Sequence, residues 1–189
     1  EYRDLIIAWR NNAPLRLGNA GAGSLMLAAG MLLAVVILRS GVGMSTGFAW
    51  KADAPWGLLM VSGVALGKAL GGFAADGLGH RMTAAVSLLA AAVLFLFSHL
   101  PLAGVLAVLL FNMTMPITLY AMARLFPYAR GFAFGLLTFG LFLGFLPAYL
   151  GVQPSLARPW ALAAACAASL GLLAPALKAE AHAYERHWG

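Results

Sequence analysis

The chain has 189 residues, of which 62% are hydrophobic and only 10% are charged. A soluble domain with that balance could not cover its surface with polar groups, so water is the wrong solvent for it. The formal net charge of +6 does not point to nucleic acid: the basic residues form no stripe and sit between long apolar runs, where they attract anionic headgroups and set topology.

The chain begins at Glu1 rather than methionine, and its first residues do not resemble a signal peptide, which leaves room for sequence upstream. From Glu1 to Gly18, charges alternate with Leu5, Ile6, Ile7 and Trp9 before a break at Pro14. That pattern suits a short interfacial or linker helix, or equally a frayed tail. A helix crossing about 30 Å of hydrocarbon needs roughly 20 mostly apolar residues. Six stretches qualify: Asn19 to Leu38, Trp56 to Ala75, Thr83 to Ser98, Leu102 to Ala121, Gly131 to Leu150 and Pro159 to Leu177. Residues 178–189 continue the sixth helix into polar sequence as a cytoplasmic tail, with Tyr184 and Trp188 placed near headgroups. The runs are too long and too rich in Ala, Leu and Gly for the strands of a membrane barrel. The fold class expected is an all-α integral membrane bundle whose short connections make sequential helices antiparallel neighbours.

Orientation follows from the basic residues. Arg3, Arg10, Arg16, Arg81, Arg124, Arg130, Lys178 and Arg186 fall on one side, against Arg39, Lys51 and Arg158 on the other. The richer side is expected to be cytoplasmic, which puts both termini inside and the protein in the inner (plasma) membrane.

Within the second stretch Gly63, Gly67 and Gly71 recur every four residues, so they share one face and let a neighbouring backbone come close. The fifth repeats the device with Gly131 and Gly135, then Gly140 and Gly144, before Pro147. Lys68 is the one ionisable residue expected well inside a span. It lies about 12 Å from Asp76 by helical rise, in the cytoplasmic half of the helix, where its stem can snorkel part of the way to the interface or the charge can be paired structurally; otherwise it is a candidate for binding substrate or an ion. The fourth stretch holds the densest polar cluster, Asn112, Thr114, Pro116, Thr118 and Tyr120. Pro116 frees backbone carbonyls that side chains, water or a substrate must satisfy. The cluster reads either as a kinked helix whose threonines bond back to its own carbonyls or as a cavity-lining face. The candidates for a substrate cavity are therefore Lys68, Asn112, Thr114, Thr118 and Tyr120, with Thr138 from the fifth stretch.

Between the second and third stretches stands Gly72-Phe73-Ala74-Ala75-Asp76-Gly77-Leu78-Gly79-His80-Arg81. This resembles the signature loop of the major facilitator superfamily, a glycine followed at the fourth position by aspartate, then a basic residue, a spacer, glycine and two basic residues. Gly72, Asp76, Gly79 and Arg81 match, while Gly77 and His80 stand where the family has Arg or Lys. Chemically, Gly79 permits a tight reversal and Asp76 can accept backbone N–H bonds or pair with arginine. Arg81 can reach carboxylates or helix carbonyls. The resemblance implies one six-helix half of a transporter, with substrate bound near the midplane against a second half. It also implies a cytoplasmic latch of Gly72, Asp76, Gly79 and Arg81 with Arg124 and Arg130, which flank Pro127. In that latch Asp76 pairs with one of these arginines or caps a helix of the opposing half.

The leading expectation is thus a secondary transporter half or subunit that works by alternating access. Its partners are the lipid bilayer, a second six-helix unit (upstream in the same chain, a separate subunit or a second copy) and a small-molecule substrate. The alternative is a non-transporting subunit that scaffolds or assembles a larger membrane complex, favoured by the absence of acidic residues from the spans. An enzyme is not expected, nor a cofactor or metal. There is no Gly-x-Ser-x-Gly elbow or His-Glu-x-x-His helix, and His80, His99, His182 and His187 lie near span ends or in the tail. The lone Cys166 sits inside an apolar run as a small core residue.

Overall fold

The computed structural model describes residues 22–126, 129–151 and 158–188. The expected interfacial segment Glu1 to Gly18 lies outside the described residues, as do Pro127 and the side chains of His182, Tyr184, His187 and Trp188. The described residues are helical throughout, with no strand. They form α1 (Ala22–Ser45), a 3-10 turn (Ala49–Ala52), α2 (Trp56–Leu78), α3 (His80–Leu96), α4 (Pro101–Asn112), α5 (Thr114–Leu125), α6 (Arg130–Tyr149) and α7 (Pro159–Trp188).

Helices α4 and α5 are two pieces of one apolar stretch, Pro101–Leu125. The break falls at Met113, whose N–H turns back to the Leu110 carbonyl at 3.2 Å. Its cause lies three residues on. Pro116 has no N–H to offer the Asn112 carbonyl, and its ring crowds that carbonyl. Counted this way there are six spans, five of them long and apolar enough to cross a membrane. The sixth, α3, has 17 residues, about 25 Å at helical rise and the short limit for a crossing.

Two boundaries differ from expectation. The first span runs on to Ser45, so Arg39 lies within a helix and not in an outer loop. The Gly72 to Arg81 stretch is almost wholly helical: α2 continues to Leu78 and α3 starts at His80. The reversal rests on Gly79 alone, at φ 85°, a backbone conformation that a Cβ would strain. As the sequence led one to expect, the last helix continues into the polar tail, to Trp188.

The packing is inside out relative to a soluble protein. Small residues such as Ala28, Ala84, Ala91, Ala107, Ala121, Ala165 and Cys166 fill the interior beside Leu32, Leu88, Phe95, Ile117 and Leu162. Large apolar side chains face outward, Leu58 at 73% and Phe73 at 77% exposure among them. Such a surface is stable in lipid, where interior contacts depend on close van der Waals fit and small residues let backbones approach.

Glycines decide which helices meet. A Cβ on Gly67 would strike the Leu109 carbonyl, and one on Gly71 the Met113 carbonyl, so α2 lies directly on α4 and the start of α5. Gly140 and Gly144 likewise seat α6 on α1, at Leu33, Ile37 and Ser40, and the Ser40 hydroxyl donates to the Leu141 carbonyl at 2.7 Å. Gly131 and Gly135, expected to repeat the device, face open space. As a result sequential helices are not always neighbours: α1 packs on α6 and α7 rather than along α2, and α7 packs on α1 and α3 rather than along α6. The pattern has an internal order. The first span packs on the fifth and sixth, the fourth packs on the second and third, and the third and sixth pack on each other.

Candidate functional site

The break in the fourth span creates the site. Thr114 and Thr118, one turn apart on α5, share a face that points at α1. There Arg39 is buried, at 7% exposure. Its Nη2 donates to Thr114 Oγ1 at 2.9 Å and its Nη1 to Thr118 Oγ1 at 3.3 Å. The threonine hydroxyls spend their own hydrogens on backbone, Thr114 on the Phe111 carbonyl at 2.9 Å and Thr118 on the Met115 carbonyl at 2.8 Å. That leaves their lone pairs for the guanidinium. Arg39 Nε is buried without a hydrogen-bond partner.

Beside this group lies a cavity of about 250 Å³ between α1, α2, α3 and α4. Arg39 and Asn112 contribute its polar wall, Val42, Val64, Phe95 and Phe111 much of its apolar one, and Lys51 of the 3-10 turn reaches its edge. The Asn112 Nδ2 donates to its own helix at the Val108 carbonyl, 2.8 Å away, and its side-chain carbonyl oxygen remains available as an acceptor. The loop at this end is held by Trp50, whose Nε1 donates to the Ser98 carbonyl at 2.9 Å while its ring stacks on Phe48 and packs over Gly104.

Of the six cavity candidates, Asn112 lines the cavity, and Thr114 and Thr118 hold Arg39 without lining it. The other three are not among the lining residues. Lys68 is exposed on the outer face of α2, and Thr138 is exposed on α6, its hydroxyl bonded back to the Phe134 carbonyl at 3.0 Å. Tyr120 lies at the end of the bundle that carries the α2–α3 turn.

That end holds a second cluster. The His80 and Tyr120 rings stack with centroids 4.5 Å apart, and the Arg124 guanidinium lies 5.5 Å over Tyr120. Arg124 Nε stands 2.9 Å from Glu180 Oε1 of α7, and Arg81 Nη2 donates to the Leu177 carbonyl of the same helix at 3.3 Å. Thr83 ties the turn itself, its hydroxyl donating to the Ala74 carbonyl at 2.9 Å. Arg81 and Arg124 therefore clamp α3 and α5 to α7. Gly79 makes the turn and Gly72 lies within α2 before it, while Asp76 and Arg130 have no ion pair among the described residues. Within this bundle the carboxylate that meets Arg124 is Glu180 and not Asp76.

Arg39 and Glu180 are the two functional positions the sequence reading passed over. Val42 and Met44 were the signal for the first, since they prolong the apolar run beyond the arginine. Helical spacing was the signal for the second, because Glu180 follows the buried Leu173, Ala176 and Leu177 on one face of α7. No family model, curated protein or solved structure matches the chain.

Proposed function

We propose that the chain is one six-helix half, or a separate subunit, of a secondary transporter that works by alternating access against a second six-helix unit. The observation that carries this reading is the broken fourth span with a buried arginine across from it, both bordering a cavity. Discontinuous helices that place polar groups at the midplane are how transporters build substrate sites in lipid. Arg39 lies within the first apolar span, Gly23–Met44, and a charged side chain inside a span is costly enough to be read first as part of a functional site.

Two further features support the reading. The closest pairings, span 1 with 5 and 6, span 4 with 2 and 3, and span 3 with 6, map onto one another when spans 1, 2 and 3 are exchanged for spans 4, 5 and 6, and the glycine contacts obey the same exchange, α2 on α4 and α6 on α1. Because consecutive spans run in opposite directions, an exchange of this kind relates the two triplets as inverted repeats would, and this supports the internal symmetry on which rocking transporters are built. The likeness of Gly72 to Arg81 to the major facilitator signature adds to this. Asp76, exposed and without an ion pair, remains free to meet the second unit.

With Arg39 inside the bundle, only Lys51 and Arg158 stand on the sparsely charged side. This supports cytoplasmic termini in the inner membrane. The test is uptake into vesicles containing the protein, from a labelled panel of organic acids, amino acids and sugars, with Arg39→Gln as control. Saturable uptake lost in the variant is expected. No uptake of any solute, together with a fixed set of co-purifying proteins, would instead identify a subunit that assembles a complex.

A further inference from the structure

The charge balance of the cavity names a ligand class. Arg39 carries five N–H donors, and the threonines take two of them. Its Nε is buried and unpartnered, and a guanidinium sealed among apolar side chains without a counter-charge is unstable. The threonines supply dipoles and no charge. Of the acidic residues whose side chains are described, Asp53, Asp76 and Glu180, none lines the cavity, whereas a second cation, Lys51, does. The neutral lining combines Asn112 and Thr46 with an apolar wall that includes Val42, Val64, Phe95 and Phe111.

We infer that the cavity binds a small organic carboxylate with an apolar body. The inference rests on reading this cavity as the substrate site and specifies what it takes. A carboxylate is the planar monoanion that matches the free edge of a guanidinium, and Arg39 is held by Thr114 and Thr118 with that edge unspent. The Asn112 amide borders the same space, and Lys51 at the edge attracts anions toward it. A volume of about 250 Å³ falls below the range of roughly 300–1,000 Å³ that holds drug-sized ligands. The wall therefore suits a short branched or aromatic acid, whose hydrocarbon part gains by leaving water.

The experiment is a thermal melt of the full chain in detergent, followed by tryptophan fluorescence, with benzoate, benzamide or benzylamine at equal concentration. Benzoate is expected to raise the midpoint, and the neutral amide and the amine to leave it unchanged. Arg39→Gln should abolish the benzoate shift. Should that variant fail to fold, Val64→Trp, which fills the cavity and leaves Arg39 in place, should weaken benzoate binding by at least about tenfold. Equal shifts with benzoate and benzamide, no shift with either, or full benzoate binding in Val64→Trp would overturn the proposal. An acidic side chain from another subunit seated on Arg39 would give the second of these results. Binding selective for benzoate without uptake of any solute would remove the transport reading and keep the site. Uptake of neutral solutes with no preference for benzoate would do the reverse.

Discussion

Arg39 is held by two hydroxyls of unequal quality, and that inequality can be measured. Replacing either threonine with valine keeps the shape of the side chain and leaves a buried charged donor without its acceptor, at a cost of about 1–3 kcal/mol. Thr114→Val should be the more damaging, because its bond is 2.9 Å against 3.3 Å for Thr118. Chemical denaturation in detergent should rank the two variants in that order, and equal or reversed losses would contradict the geometry. Glu180 offers a second test. It is 7% exposed and Arg124 26% exposed across a 2.9 Å pair, so Glu180→Gln removes the charge from a mostly buried partner. The expected loss is about 1–2 kcal/mol, between the values for surface and fully buried pairs. Asp76→Asn, at an exposed position without an ion pair, should leave the same melt unchanged. The threonines' back-bonding to their own helix around Pro116 was one of the two readings their spacing offered, and they meet Arg39 without lining the cavity. Arg39 was not legible, because a charge near the end of an apolar run looks the same whether the helix stops there or goes on.

Helix pairing here is written in glycine, and only where a backbone actually arrives. Gly67→Ala would drive a methyl group into the Leu109 carbonyl, and Gly144→Ala into that of Ile37. Neither neighbour is a flexible side-chain end, so each variant should lose about 1–3 kcal/mol as the helices are forced apart. Gly72→Ala and Gly135→Ala meet nothing within 4 Å and should be neutral, or slightly stabilising through helix propensity. Melting curves of the four proteins separate close contact from mere glycine content, and a damaging Gly135→Ala would sink the distinction. The four-residue spacing in α2 announced its buried face correctly. The same spacing at Gly131 and Gly135 announced nothing, because periodicity shows that a helix has a smooth face and not whether another helix lies against it. The break at Met113 was foreshadowed by Pro116, whereas the near absence of a loop around Gly79 was not, since Asp, Gly and His in sequence look like the end of a helix.

For the assembled bundle, orientation can be checked with cysteine labelling, because the native Cys166 is buried and should not react. In intact cells Lys51→Cys should be modified by a membrane-impermeant maleimide, and Lys178→Cys only after permeabilisation. The opposite pattern would invert the topology and the side from which Lys51 attracts a ligand. That the chain belongs in a membrane, that it is all helix and roughly where each span lies were already written in composition and in the lengths of the apolar runs. Hydrocarbon imposes these locally, by requiring every backbone group in a span to find its partner within the helix. Pairings of the spans, the burial of Arg39 against Thr114 and Thr118, and the choice of Glu180 as the partner of Arg124 are of another kind. Each depends on groups distant in the chain, 79 residues apart for Arg39 and Thr118 and 101 for Ser40 and Leu141. Lipid offers little hydrophobic drive to bring such groups together, so the meeting is governed by the fit of small residues and the need to satisfy buried polar atoms, and neither can be read from one segment alone.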